Sequence, residues 1–260
     1  MYTIIYLSPT GNTLYLVKKL QEQLNISNDK IFPLEFTDSK QLKKDEDLIL
    51  MFSIHGFNPP RTVKRFIESL PSGLFNNIHI IAVGCSTSWI NDAVSQRIRK
   101  SLIKKKYNVV THEILAMPLT LVMKFPKDLG IKLIEESTEK IKEIAIRIKE
   151  DATSNRHIKL KSKIISTIGK IEDPASRLFG LELHANKKCI SCALCWNNCP
   201  ENNIRPNKNN HPKFGLKCMM CMRCIDNCPA HAISPYISKF LLTKDGYSLE
   251  EYTNQHEKKD

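Results

Sequence analysis

At 260 residues, with 42% hydrophobic and 25% charged side chains, the chain has the composition of a globular protein of about two domains, and not of a disordered or fibrous one. Its formal charge of +12 is shared by both halves. No nucleic-acid motif or basic-aromatic stripe accompanies that charge, so an acidic protein partner is expected in preference to nucleic acid. No apolar run is long enough to span a membrane, and no leader-like pattern precedes the first strand, so a cytoplasmic location is expected.

Residues 1–150 alternate short apolar runs with longer amphipathic patterns, the signature of a parallel sheet with crossover helices. Five strands are predicted, at residues 3–7, 31–36, 47–52, 78–83 and 109–115. The first leads into Ser8-Pro9-Thr10-Gly11-Asn12-Thr13 and then into a helix marked by Leu14, Leu16, Val17, Leu20 and Leu24. Such a loop brings amides and hydroxyls to a helix N-terminus, where an anion is favoured. It has neither the phosphate-loop lysine nor the three glycines of dinucleotide sites, so a single phosphomonoester suits it. An ordinary turn with a hydroxyl cap is the plainer alternative. Through Ser8, Thr10, Gly11, Asn12 and Thr13 the segment resembles the flavodoxin phosphate loop, Ser/Thr-x-Thr-Gly-x-Thr. The resemblance implies FMN bound to a flavodoxin-like fold, a five-stranded parallel sheet with helices on both faces.

Further along, Val63, Phe66, Ile67 and Leu70 keep helical spacing after Pro59-Pro60, with Pro60 placed in the first turn. A third helix is predicted over about 91–105 and a fourth over 131–148. The flavodoxin resemblance implies that the flavin ring lies between the loops after the third and fourth strands, here residues 53–58 and 84–89. His55, Gly56, Phe57, Gly84, Ser86 and Trp89 are the candidates there, although the family's usual acidic and tyrosine markers are missing from the second loop. Cys85 is read as a small buried residue rather than a reactive thiol.

Residues 151–186 read as a linker with an amphipathic helix, in which Ile158, Ile164, Ile165, Ile168 and Ile171 oppose Lys159, Lys161, Lys163 and Lys170. The apolar stripe is expected to pack between the domains rather than on a membrane.

Eight of the nine cysteines then fall in an internal repeat. The first copy is Cys189-x2-Cys192-x2-Cys195-x3-Cys199-Pro200 and the second is Cys218-x2-Cys221-x2-Cys224-x3-Cys228-Pro229. Each is the bacterial ferredoxin run. Three closely spaced thiolates wrap one corner of a cubane, and in two-cluster ferredoxins the fourth comes from the opposite repeat. Cluster one is therefore assigned to Cys189, Cys192, Cys195 and Cys228, and cluster two to Cys218, Cys221, Cys224 and Cys199. Zinc ribbons use paired C-x2-C knuckles and need neither the extra cysteines nor the repeated Cys-Pro. Ser191, Ala193, Met220 and Met222 stand between the cysteines, where such loops often carry glycine.

Taken whole, the chain resembles the flavodoxin–ferredoxin fusions of anaerobic bacteria over nearly all of residues 1–235. The resemblance implies an FMN-binding flavodoxin-like domain at 1–150, a linker at 151–186, a small α+β two-[4Fe-4S] ferredoxin domain at 187–235 and a polar tail at 236–260, read as a peripheral helix or loose end. The function expected is electron transfer between FMN and two [4Fe-4S] clusters and on to acidic redox partner proteins, steered by Lys187, Lys188, Lys213, Lys217 and Arg223. Two other readings stand beside it: a flavoenzyme reducing a small substrate, and a ferredoxin with a flavin-free docking domain.

Overall fold

In the computed structural model, strand β1 (Tyr2–Leu7) runs into helix α1 (Asn12–Leu24), which buries Leu16, Val17, Leu20 and Leu24. The structure describes residues 1–38, 42–44, 46–154, 160–243 and 246–253. Strand β2 (Ile31–Pro33) is shorter than its apolar pattern predicts and passes into a 3-10 turn over Leu34–Phe36. Pro33 has no N–H to continue a ladder, and β2 sits at the sheet edge, where that loss is tolerated.

Strand β3 (Glu46–Ser53), helix α2 (Arg61–Ser69), strand β4 (Phe75–Gly84), helix α3 (Gln96–Lys104), strand β5 (Asn108–Ala116) and helix α4 (Lys127–Lys149) follow. Pro60 precedes the first turn of α2 rather than lying in it. Helix α3 is shorter than predicted, because the chain first makes a 3-10 turn at Trp89–Asn91.

The strands pair in parallel in the order β2-β1-β3-β4-β5. Successive side chains on a strand point to opposite faces, so Ile5, Leu48, Leu50 and Ile80 meet α2 and α3, while Ile4, Ile49, Met51 and Ile81 meet α1 and α4. Burial on both faces explains the near-continuous apolar runs. Each such side chain contributes about 1.5–3 kcal/mol. The order reverses direction between β1 and β3, which opens a crevice at the carboxyl ends of the strands.

Beyond the sheet come helix α5 (Leu160–Ile168), a 3-10 turn (Gly169–Ile171) and helix α6 (Glu172–Glu182). The helix turns neither its lysine face nor most of the expected isoleucine stripe inward: Lys161, Lys163 and Lys170 are exposed, and of that stripe Ile165 is half-buried. Ser162 and Ser166 are buried, whereas Leu160, Ile164, Ile168 and Ile171 are exposed. Ile158 and Lys159 lie outside the described residues. The inward face docks on polar loops rather than on a core: Ser162 Oγ accepts from Ala93 N at 2.8 Å, and Ser166 Oγ donates to Asn58 Oδ1 at 2.9 Å. Small side chains permit this close approach. A Cβ built at Gly169 would fall 1.8 Å from the carbonyl oxygen of Gly56.

The cysteine repeat occupies a small unit of strand β6 (Leu183–Ala185), helix α7 (Leu194–Asn197), strands β7 (Ile204–Pro206) and β8 (Pro212–Phe214), helix α8 (Arg223–Asp226) and strand β9 (Ile233–Pro235). Here β6 pairs antiparallel with β9, and β7 with β8. Of the two forms expected for the segment beyond residue 235, a peripheral helix or a loose end, residues 246–253 take the first. Tyr247 and Tyr252 are buried against α1 and α4, with Tyr252 in the short helix α9 (Glu250–Thr253). The last residues, 254–260, lie outside the described residues. Among the described residues no helix is long and apolar enough to cross a membrane.

Candidate functional site

A cleft of about 220 Å³ opens at the carboxyl ends of the strands. One side is built from the loop after β1, the 53–57 segment after β3, Val83 to Cys85 at the end of β4, and Pro118 to Leu121 after β5. Its other side comes from outside the sheet domain, from Glu172, Met220 and Cys221.

The loop after β1 is shaped by Gly11 at φ +97°, a left-handed conformation that only glycine adopts without strain. Ser8 Oγ accepts from Leu14 N at 2.9 Å, which fixes the loop and leaves the hydroxyl proton free to donate elsewhere. Thr13 Oγ1 is buried without a hydrogen-bond partner among the described residues. A buried orphan hydroxyl beside the free amides of a helix's first turn is the donor set a phosphate monoester would complete. Asn12 lines the cleft, but its side-chain amide is committed to the protein. Its Nδ2 donates to Pro118 O at 2.9 Å, and its Oδ1 accepts from the Tyr247 hydroxyl.

The turn after β3 closes with His55 N to Asn58 O at 2.9 Å and Asn58 N to His55 O at 2.8 Å. Gly56 and Phe57 between them lie at φ +48° and +60°, and the strained Phe57 presents a partly exposed ring at the cleft. His55 lies 3.2 Å from Met219 O through Nδ1 and 3.2 Å from Ser53 Oγ through Nε2. A carbonyl only accepts, so Nδ1 carries the proton and Nε2 receives the Ser53 hydroxyl. Burial pushes its pKa down to about 4, so the ring is neutral and fully engaged within the protein. Gly84 lines the cleft, but Ser86 and Trp89 are not among its lining residues. Trp89 instead begins the 3-10 turn that leads toward α3. Cys85 does reach the cleft, with its thiol pushed up by burial.

Two smaller cavities divide the repeat cysteines. Cys189, Cys192, Cys195 and Cys228 line one, and Cys199, Cys218, Cys221 and Cys224 line the other. The two runs fold alike. Cys199 Sγ accepts from Asn203 N at 3.3 Å and Cys228 Sγ from Ala232 N at 3.3 Å, each four residues downstream. Burial pushes the thiols of Cys195 and Cys218 up to about 11 and that of Cys221 up to about 12. Four thiolates so placed become tenable when metal ions take up their charge, and amides aimed at the sulfurs suit an iron–sulfur cluster.

Ser191, Ala193, Met220 and Met222 all have positive φ, between 53° and 67°. The backbone needs the conformation that glycine supplies, and these side chains bear its cost. Ala193→Gly, which removes only a methyl, is expected to stabilise the cluster-loaded protein by about 1 kcal/mol in anaerobic denaturant unfolding.

The two domains meet closely. Met219 joins the core beside α2, and Thr62 Oγ1 donates to Glu201 Oε1 at 2.6 Å. Arg223, expected on a partner-facing surface, is buried at this junction instead. Its guanidinium donates to Ser8 O at 2.9 Å, Pro9 O at 3.3 Å and Asn198 O at 2.9 Å, and pairs with Glu35. Lys187, Lys188, Lys213 and Lys217 are exposed. Glu172, Met220 and Arg223 escape motif reading, because their roles arise only where the linker and the repeat fold over the sheet.

Residues 182–229 match the 4Fe-4S dicluster domain family. No curated protein matches the chain. Among solved structures, oxidised flavodoxin 2 from Bacillus cereus is similar at 21% identity and TM-score 0.42, over 57% of this chain and 97% of that one. A Fusobacterium nucleatum flavodoxin bound to flavin mononucleotide is similar at 16% identity and TM-score 0.42, over 58% and 98%. A flavodoxin from the domain Archaea is similar at 15% identity and TM-score 0.38, over 57% and 98%. By its own strand order and this family match, the chain is a flavodoxin-like α/β domain joined to a 4Fe-4S dicluster domain, the architecture of an electron-transfer protein.

Proposed function

We propose that the protein exchanges electrons between FMN, held in the cleft, and two [4Fe-4S] clusters, serving acidic redox partners. FMN accepts two electrons and can release them singly, which suits it to paired one-electron centres. Ser8, Thr10, Thr13 and the first amides of α1 would hold the phosphate, and Gly56, Phe57 and Gly84 would border the ring. Asn12 and His55 would support these loops from behind.

The observation that carries the reading is the place of Cys221. It lines both the cavity of the second cysteine set and the cleft itself, so a cluster held by that set would border a flavin in the cleft. The first set lies farther out, with Cys192 exposed and Lys187 and Lys188 nearby, where an acidic partner would be drawn in.

The test is to purify the full chain without oxygen and count the flavin released on acid denaturation. About one FMN per chain is expected, reduced when the clusters are reduced. No flavin, even after incubation with excess FMN, would overturn the reading and leave a ferredoxin on an empty scaffold.

A further inference from the structure

Glu172 opens α6, where the linker leaves its 3-10 turn above the 55–58 turn. Its side chain lines the cleft beside Gly56, Met220 and Cys221. It also lines a second basin, open to solvent, bordered by Asn58, Arg61, Lys64, Lys170 and Asp173. Among the described residues only His55 and Glu172 border both spaces. The carboxyl is tightly placed: a Cβ built at Gly56 would fall 1.7 Å from Glu172 Oε2. That oxygen is buried and has no hydrogen-bond partner among the described residues.

We propose that Glu172 is a proton-exchange site, passing protons between the solvent-facing basin and the flavin in the cleft. The inference rests on the FMN reading above. His55, the other shared residue, has both ring nitrogens engaged and stays neutral. The charges facing Glu172 are Asp173 and Lys64, with Arg61 and Lys170 also on the basin wall and Arg61 paired to Asp173 at 2.9 Å. Burial, aided by Asp173 and opposed by Lys64, pushes the carboxyl up to about 7. It therefore holds its proton below neutrality and gives it up above, a value suited to a general acid.

The exchange balances as follows. Two electrons reach the flavin ring, one from each reduced cluster. The O–H bond of Glu172 breaks, one N–H bond forms on the ring, and the carboxylate regains a proton from water in the basin. The product is the anionic, two-electron-reduced flavin.

The experiment uses the full-length protein with both clusters, after counting FMN in wild type and in Glu172→Gln, which keeps the shape and removes the titration. The infrared difference between wild type and variant, both oxidised, is expected to hold a protonated carboxyl band of Glu172 that fades as pH rises through about 7, apart from the band of Asp226, which burial also pushes up to about 7 in both proteins. Stopped-flow reduction of the flavin by the clusters is expected to slow as pH rises through the same point in wild type. In Glu172→Gln it is expected to be slow and flat with pH, on the order of 100-fold below the wild-type rate in acid. Glu172→Asp, which keeps a titrating carboxyl, is expected to restore the pH dependence. A Glu172→Gln protein that binds FMN yet keeps the wild-type rate and pH profile overturns the inference, as does the absence of any carboxyl band from the difference between the two proteins. If neither protein binds FMN, the flavin reading fails first and the proton site fails with it.

Discussion

Cys228→Ala is expected to remove the cluster of the first cysteine run and to spare that of the second, leaving about half the iron. Cys228 belongs by sequence to the second run, yet it lines the cavity of Cys189, Cys192 and Cys195. Cys199→Ala is the reciprocal case, since Cys199 lines the cavity of Cys218, Cys221 and Cys224. The variants separate in function. Loss of the inner cluster, next to the cleft, is expected to slow flavin reduction by an external one-electron donor at least about tenfold, whereas loss of the outer one disturbs donor docking more. Iron analysis, electron paramagnetic resonance and flavin reduction kinetics read the three effects. If each run held its own cluster, Cys228→Ala would instead abolish the inner signal.

Arg223→Met is expected to cost about 3–5 kcal/mol, because it leaves Glu35 as an uncompensated charge in a junction where both side chains are almost fully buried. Glu35 Oε2 already has no hydrogen-bond partner there. Three carbonyls, of Ser8, Pro9 and Asn198, lose their donors at the same time. Arg223→Lys is not a mild change, since one ammonium cannot reach all these acceptors in the geometry of the planar fork. Anaerobic unfolding in urea measures the loss, and adding Glu35→Leu is expected to recover much of it by removing the stranded charge. FMN affinity is expected to fall in the single variant, because two of the lost acceptors belong to the loop that precedes α1.

The sheet and the two cysteine runs are legible because both are written in local spacing, apolar runs of strand length and thiols two and three residues apart, whereas the exchange of Cys199 and Cys228 between the sets rests on the ferredoxin pattern. Even the four positive-φ positions could be marked, since glycine is the usual residue there and is missing. What escaped was the direction of burial. The periodicity of residues 160–171 shows an isoleucine face and a lysine face, but the edge that turns inward carries Ser162 and Ser166. The neighbouring surface offers the amide of Ala93 and the side chain of Asn58, which favour serine over isoleucine. Asn12 and His55 were found as cleft residues, yet their hydrogen-bonding groups turn away to Tyr247, Pro118 and Met219, partners more than 100 residues distant in the chain. The aromatic face of Trp89 suits a flavin ring, but the 3-10 turn after β4 takes it away from the cleft lining.

The return of residues 246–253 to the sheet domain alters how the dicluster unit should be understood. Tyr247 meets Asn12 at the head of α1, and the ring of Tyr252 packs within 2.2 Å of where a Cβ at Gly130 would stand. The cysteine-bearing unit is thus embedded between parts of the sheet domain rather than appended to it. A module tethered at both ends stays near its partner when either attachment opens, because the remaining one keeps its effective concentration high and the loop it closes is costly to reopen only in part. Transient opening at the cleft would then be followed by rapid reclosure, so the cofactors of the two halves remain neighbours through many cycles.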